Sequence, residues 1–291
     1  MLTTLLAILP AIVLCIFIFK KDRSEKEPIG LLILLFFMGM LSTIPSTIIE
    51  GAMEGISDLF FAGKVNITEE ATECITAADY LYQFFNAFVG VALVEEFFKW
   101  IFMLWVTSKS KHFNSLFDGV VYAVFVSLGF AALENILYVI DGGIGVAIIR
   151  MLLSVPSHMF FAVFMGFYYS TWNINKKAGS YRDHLTAKHG YIDTVKDPFP
   201  TKRFLALSLL VPTLVHGLYD FLLMTENILC ILVFLGVVIW LYIYCFKKVS
   251  KLSKKDGPDT TIAKAAVFEK YPALAILEQQ SEKMSEPLNV N

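Results

Sequence analysis

The sequence predicts an all-α, polytopic integral membrane helical bundle of about seven transmembrane helices. Three observations predict it. Of 291 residues, 56% are hydrophobic and only 17% charged, and the mean hydropathy is +0.63. A soluble domain of this length needs far more polar surface. The apolar residues also bunch into runs near or above the roughly 20 residues that cross a bilayer. In lipid every backbone N–H and C=O must be paired within its own segment, so these runs are helices. The net charge of -2 gives no basic surface for nucleic acid.

The runs cover 2–19, 29–49, 78–106, 117–140, 144–171, 203–223 and 228–246. The first has no basic start and no small-residue cleavage site, so it reads as a retained span rather than a signal peptide. Trp100, Trp105, Trp172 and Trp240 lie near span ends or one to two turns inside, as interfacial tryptophans do. Four connections are rich in Lys and Arg: "KKDRSEKEP", "SKSKH", the 173–202 loop with Lys196 among its cations, and the tail that begins "KKVSKLSKK". They alternate with the acidic 50–77 loop (Glu69, Glu70, Glu73), "DGG" at 141–143 and "TEN" at 225–227. The positive-inside rule then sets the N-terminus outside and the C-terminus in the cytoplasm.

The organisation follows. Two N-terminal spans occupy 1–50, and an outward acidic loop 51–77. A four-helix membrane core fills 78–223 with a cytoplasmic loop at 173–202; the last span is 224–246 and the tail 247–291. Within the tail, "IAKAAVFEKYPALAILEQQ" predicts a short surface helix in a mostly disordered segment. Cys15, Cys74, Cys230 and Cys245 are scattered without metal-ligand spacing. No disulfide framework is expected, although Cys74 and Cys230 are a conceivable pair if they share a side.

Ionisable residues inside spans are costly and mark function. The third span carries Glu95, Glu96 and Lys99 in "LVEEFFKW"; the fourth carries Asp118 and Glu134. The fifth carries His158, and the sixth His216 and Asp220. Lys99 lies i+4 from Glu95 and i+3 from Glu96, and Asp220 lies i+4 from His216, so each set shares one helix face. Glu95, His158 and His216 sit near their span centres, hence in one layer. Glu134 lies about 9 Å further toward the outside at ~1.5 Å per residue, and Asp220 is displaced the same way. The cluster is therefore expected to open outward. Bland readings exist for single residues: a Glu96–Lys99 structural pair, an interfacial Asp118, a snorkelling Arg150.

"EEFFK", "FAALEN" (130–135), "HMFFAVFMG" (158–166) and "HGLYD" (216–220) together resemble the ordered motifs of the PrsW intramembrane proteases. "FDGVVYAVFVSLGF" at 117–130 resembles that family's approach to its second motif. The likeness covers about 78–223; "EExxK" alone is a weak pattern, but four motifs on four successive spans are specific. The family is similar to the type II CAAX prenyl endopeptidases. This chain departs from those at Glu134, where they have histidine, and at Asp220, where they have asparagine. The resemblance implies a multi-pass plasma-membrane peptidase that cuts a single-pass membrane protein near the outer face. In bacteria the expected substrate class is an anti-sigma factor or similar regulator.

Two chemistries fit the residues. In one, Glu95 is general base to a water that His158 orients, His216 held by Asp220 stabilises the oxyanion, and Glu96 pairs with Lys99. In the other, His158, His216 and Glu134 or Glu95 ligate zinc, although no HExxH is present. A different class, a proton- or ion-coupled transporter, could use the same buried Glu, Lys, His and Asp set. It lacks the paired broken half-helices of two related halves.

Overall fold

The computed structural model describes residues 2–67, 72–192, 195 and 198–285. Glu69, Glu70 and Lys196, named above for loop charge, lie outside the described residues. The elements are α1 (Leu2–Lys21), α2 (Ile29–Phe61), α3 (Ala77–Phe85), a π-helical segment (Asn86–Ala92) and α4 (Leu93–Thr107). Then follow α5 (Asp118–Leu152), α6 (Ser154–His189), α7 (Thr201–Met224), α8 (Ile228–Lys254), α9 (Asp259–Lys270) and α10 (Pro272–Ser285). Among the described residues, the only β pairing is one isolated bridge, Ser115 to Pro258.

The chain is an all-α membrane bundle. Five stretches are by themselves long and apolar enough to cross a membrane: Ile29–Phe61, Asp118–Ile140, Gly142–His189, Thr201–Met224 and Ile228–Lys254. The other two expected spans coincide with helix as well, in α1 and in the continuous α3–π–α4 segment. That segment is divided by the π-helix into shorter pieces, and α4, with 15 residues, carries Glu95, Glu96 and Lys99.

The elements differ from expectation in two places. α2 runs twelve residues past the expected end at 49, to Phe61; the added turns carry Glu50, which accepts from Ser46, and Ser57, which donates to the Glu54 carbonyl and to Asn86. The fourth and fifth spans separate at the expected "DGG" connection, Asp118–Ile140 on one side and Gly142–His189 on the other, and the chain kinks at Gly143, whose φ of 69° suits glycine. α6 then continues to His189, so most of the expected 173–202 loop is helix.

The tail also differs. α9 and α10 pack Ala263, Val267, Tyr271 and Leu274 against Ala178 and Leu185 on the far end of α6. Lys188 and His189 hold Glu278 at 2.7 and 2.8 Å. These two partners keep the Glu278 carboxyl below the usual carboxylate range. The resulting stabilisation is present above the unfolded value, ~4.3, and is lost as pH falls through the lower folded value. Acidification below about pH 4 should therefore raise amide exchange in α10 before the bundle responds. Unchanged protection of α10 under acid would show that the pair does not hold it.

α5 is the central helix and packs on α1, α2, α4 and α6. Small residues let backbones touch, as membrane helices favour. A Cβ on Gly129 would stand 1.9 Å from the Phe36 carbonyl oxygen, and one on Gly39 1.9 Å from that of Val126. Both obstacles are backbone and cannot swing away. Gly129→Ala should therefore destabilise by at least about 3 kcal/mol, read as a loss of melting temperature in detergent. A melting temperature equal to that of the parent protein would contradict the α2–α5 contact.

The Lys/Arg-rich connections gather at one end. Asn114 reaches Glu25, Ser24 reaches Asp256, and Lys177 reaches the Phe113 carbonyl. At the other end the acidic loop meets the α7–α8 link through Cys74 N–H to Thr225 O at 2.9 Å and Asn227 to Glu73 at 3.4 Å.

Candidate active site

The site forms where α4, α5, α6 and α7 meet. α4 is preceded by seven residues of π-helix, a distortion that often marks functional positions. Gly217 lets that segment come close to α7, because a Cβ there would stand 2.4 Å from the Phe88 ring. His216, beside it, is thereby carried up to α4.

Lys99 is the hub. Its ammonium donates to Glu95 Oε2 at 2.8 Å, Glu96 Oε1 at 2.9 Å and His158 Nδ1 at 3.0 Å, and lies 4.1 Å over the Phe130 ring. The Glu95, Glu96, Lys99 and His158 side chains are all buried. An ammonium can only donate, so His158 Nδ1 accepts and its proton sits on Nε2. Nε2 then donates to Glu134 Oε2 at 2.9 Å. The His158 backbone is tied to α5 by the Ser127 hydroxyl at 2.9 Å.

His216 lies between two carboxylates. Nδ1 is 3.0 Å from Glu96 Oε1 and Nε2 is 3.1 Å from Asp220 Oδ2. The second contact is poorly directed, and Asp220 Oδ2 has no well-formed hydrogen bond. Phe161 stacks on the His216 ring at 4.5 Å, and the two histidine rings are 5.6 Å apart.

A cavity of about 570 Å³ opens over this cluster. Glu95, His158, Glu134, His216 and Asp220 line it, whereas Glu96 and Lys99 do not. Its far rim includes Leu223 and Met224, at the end of the bundle away from the Lys/Arg-rich connections. Of the eight ionisable residues singled out from the spans, seven are thus drawn into one network, while Asp118 accepts from the Asn114 and Ser115 N–H groups at the Lys/Arg-rich end.

Two further residues belong here. Glu50 lines the cavity from α2, with Ser46 donating to it at 2.8 Å. Hydropathy ended the second span one residue before it. A polar stripe of Thr43, Thr47 and Glu50 at i, i+4 and i+7 is the signal that would have found it. Arg150 does not snorkel. It pairs with Glu134 at 2.9 Å, donates from Nε to Asn135 at 2.9 Å, and lies 4.0 Å over Tyr138.

Glu95, Glu96 and His158 each offer a donor atom within 4.8 Å of the others. An ion shared by them would need the space where the Lys99 ammonium already touches all three.

Comparison with known proteins places the chain in a family. The family described as "PrsW family intramembrane metalloprotease" matches residues 27–246. Protease PrsW of Oceanobacillus iheyensis is 35% identical over 216 residues, 74% of this chain and 80% of that protein. Protease PrsW of Bacillus subtilis is 33% identical over the same length and shares. Protease PrsW of Clostridioides difficile is 30% identical over 251 residues, 85% of this chain and 90% of that protein. No solved structure matches. The chain therefore belongs to the PrsW family of intramembrane proteases and is a multi-pass membrane peptidase.

Proposed function

We propose that the chain cuts a single-pass membrane protein near its outer face, as in the first cleavage of an anti-sigma factor or similar regulator, with Glu95 activating the attacking water. One observation carries this reading. Of the two adjacent glutamates only Glu95 reaches the cavity, while Glu96 is turned back onto Lys99 and His216. A general base must touch both protein and water, and of the adjacent pair Glu95 is the one that can.

The other roles follow from the contacts. Lys99 fixes the Glu95 carboxylate through Oε2. His158 holds Lys99 on one side and Glu134 on the other, so it acts as a positioning residue. The His216 Nε2–H is only loosely held by Asp220 and is free to turn to a substrate carbonyl oxygen as it gains charge. Asp220 keeps that ring in register. The outward-opening cavity admits a peptide segment from the side that the positive-inside rule makes external.

The family description implies a metal, and the donor set argues against one here. Lys99 takes the lone pair of His158 Nδ1, and Nε2 carries the proton given to Glu134. Both nitrogens of His216 face carboxylate oxygens. His158 has no lone pair left to bind zinc at 2.0–2.1 Å, roughly the usual distance, and His216 alone does not make a histidine pair for it. The residues as arranged do not fit the ion, and the proposed steps do not use it.

Co-expression with a single-pass reporter, followed by purification and cleavage in proteoliposomes, tests both parts. Cleavage near the outer face that persists in chelator is expected. Loss of activity in chelator that added zinc restores would overturn the metal-free reading. No cleavage of any single-pass reporter, with coupled ion uptake in the same vesicles, would overturn the proteolytic one.

A further inference from the structure

Four carboxylates line the cavity, those of Glu50, Glu95, Glu134 and Asp220. Three have a cationic or imidazole partner from this chain: Glu95 has Lys99 at 2.8 Å, Glu134 has Arg150 at 2.9 Å, and Asp220 has His216 at 3.1 Å. Glu50 has none among the described residues. Its hydrogen bond there comes from the neutral Ser46 hydroxyl, to Oε1 at 2.8 Å. We propose that Glu50 selects the substrate, by pairing with a lysine or arginine side chain that the cut protein carries on the outer side of the scissile bond. This selection presupposes the cleavage proposed above and adds the chemical class of the segment that is cut.

Glu50 is held but not satisfied. Ser46, one turn back on α2 and fully buried, fixes one oxygen and leaves Oε2 to the cavity. Thr47, also on the cavity wall, donates back to the Thr43 carbonyl at 3.0 Å and gives nothing to Glu50. The Arg150 guanidinium borders the same space but is committed to Glu134, Asn135 and the Tyr138 ring. A carboxylate on a partly apolar wall gains from a counter-charge that its own chain does not supply. A basic side chain on the substrate supplies it. An acidic one would meet four carboxylates against one guanidinium, and that repulsion sharpens the choice.

Depth along the helices sets where the base belongs. α2 begins at the Lys/Arg-rich end, and Glu50 is 21 residues beyond Ile29, about 32 Å at 1.5 Å per residue. α4 finishes at that same end, and Glu95 is 12 residues before Thr107, about 18 Å by the same rise. Glu50 therefore stands outward of the residue that activates water. The offset of about 14 Å corresponds to about four residues of extended peptide at 3.3 Å each. It also puts Glu50 near the edge of a hydrocarbon layer roughly 30 Å thick, where a lysine or arginine of a single-pass protein is tolerated.

A reporter series in proteoliposomes holding the full chain tests this. Single-pass proteins of otherwise one sequence carry Lys, Gln or Glu at one of the second to fifth positions outward from the cut. The parent should cut the best-placed Lys reporter with a kcat/KM at least about tenfold above its Gln and Glu counterparts. Glu50→Gln should bring the Lys-to-Gln ratio near one, and Glu50→Lys should invert the preference so that the Glu reporter is cut faster than the Lys reporter. A merely structural role for Glu50 would lower all reporters together and keep the ratios of the parent. Should Glu50→Gln cut nothing, binding of a fluorescent Lys reporter to the Glu95→Gln protein decides the matter, and adding Glu50→Gln should weaken it at least about tenfold. Equal cutting of the three reporters by the parent, a Lys preference that survives Glu50→Gln, or equal binding in that pair would each overturn the proposal. A parent that cuts no reporter would overturn the proteolytic reading, and this selection with it.

Discussion

Glu95→Gln should lower cleavage of a single-pass substrate by about 10²–10⁴-fold while the protein still inserts and accumulates. The amide keeps the shape of the carboxylate, and its carbonyl oxygen still accepts from Lys99, so packing is preserved. What it loses is the ability to take a proton from water in the cavity that Glu95 lines. Product formation in proteoliposomes, normalised to the amount of enzyme, reads the effect. The neighbouring Glu96→Gln changes a different property. It weakens the hold on Lys99 and His216, so its loss should be partial and accompanied by lower thermal stability. If Glu95→Gln cut as fast as the parent, the water would have to be activated elsewhere in the cavity.

Lys99→Met should cost about 3–5 kcal/mol of stability, the range found when one member of a buried ion pair is removed. Methionine fills similar volume, so the penalty is electrostatic. It leaves the Glu95 and Glu96 carboxylates side by side with no ammonium between them, and takes the donor from His158 Nδ1. Melting in detergent measures it. Adding Glu96→Gln to Lys99→Met should recover part of the loss, because the two residues share a contact and their effects are not additive. A Lys99→Met protein within about 1 kcal/mol of the parent would mean that water reaches these carboxylates after all.

Much of this site was legible in the sequence, because membrane spans impose regular rise and turn. Spacings of three and four residues placed Glu95, Glu96 and Lys99 on one face, and His216 with Asp220 on another. Depth along a helix then brought His158 level with them. What could not be read is partnership. Hydropathy sees Glu50 as the end of a span and Arg150 as an end that reaches for water. In the fold each side chain finds a partner instead, Ser46 for Glu50 and Glu134 for Arg150. The length of α6 was hidden for a similar reason. Its polar half, from Asn173 onward, gains its apolar partners only from α9 and α10, almost a hundred residues later in the chain. The link Tyr271–Pro272 likewise divides one expected surface helix into two.

α6 carries His158 within its second turn and ends in the platform for the tail helices, with no break among its 36 residues. At ~1.5 Å per residue it is a rod of about 54 Å. A stiff shaft has no slack. The surface that α9 and α10 cover and the imidazole wedged between Lys99 and Glu134 are thus carried on one unbroken helix, with no loop to take up a displacement between them.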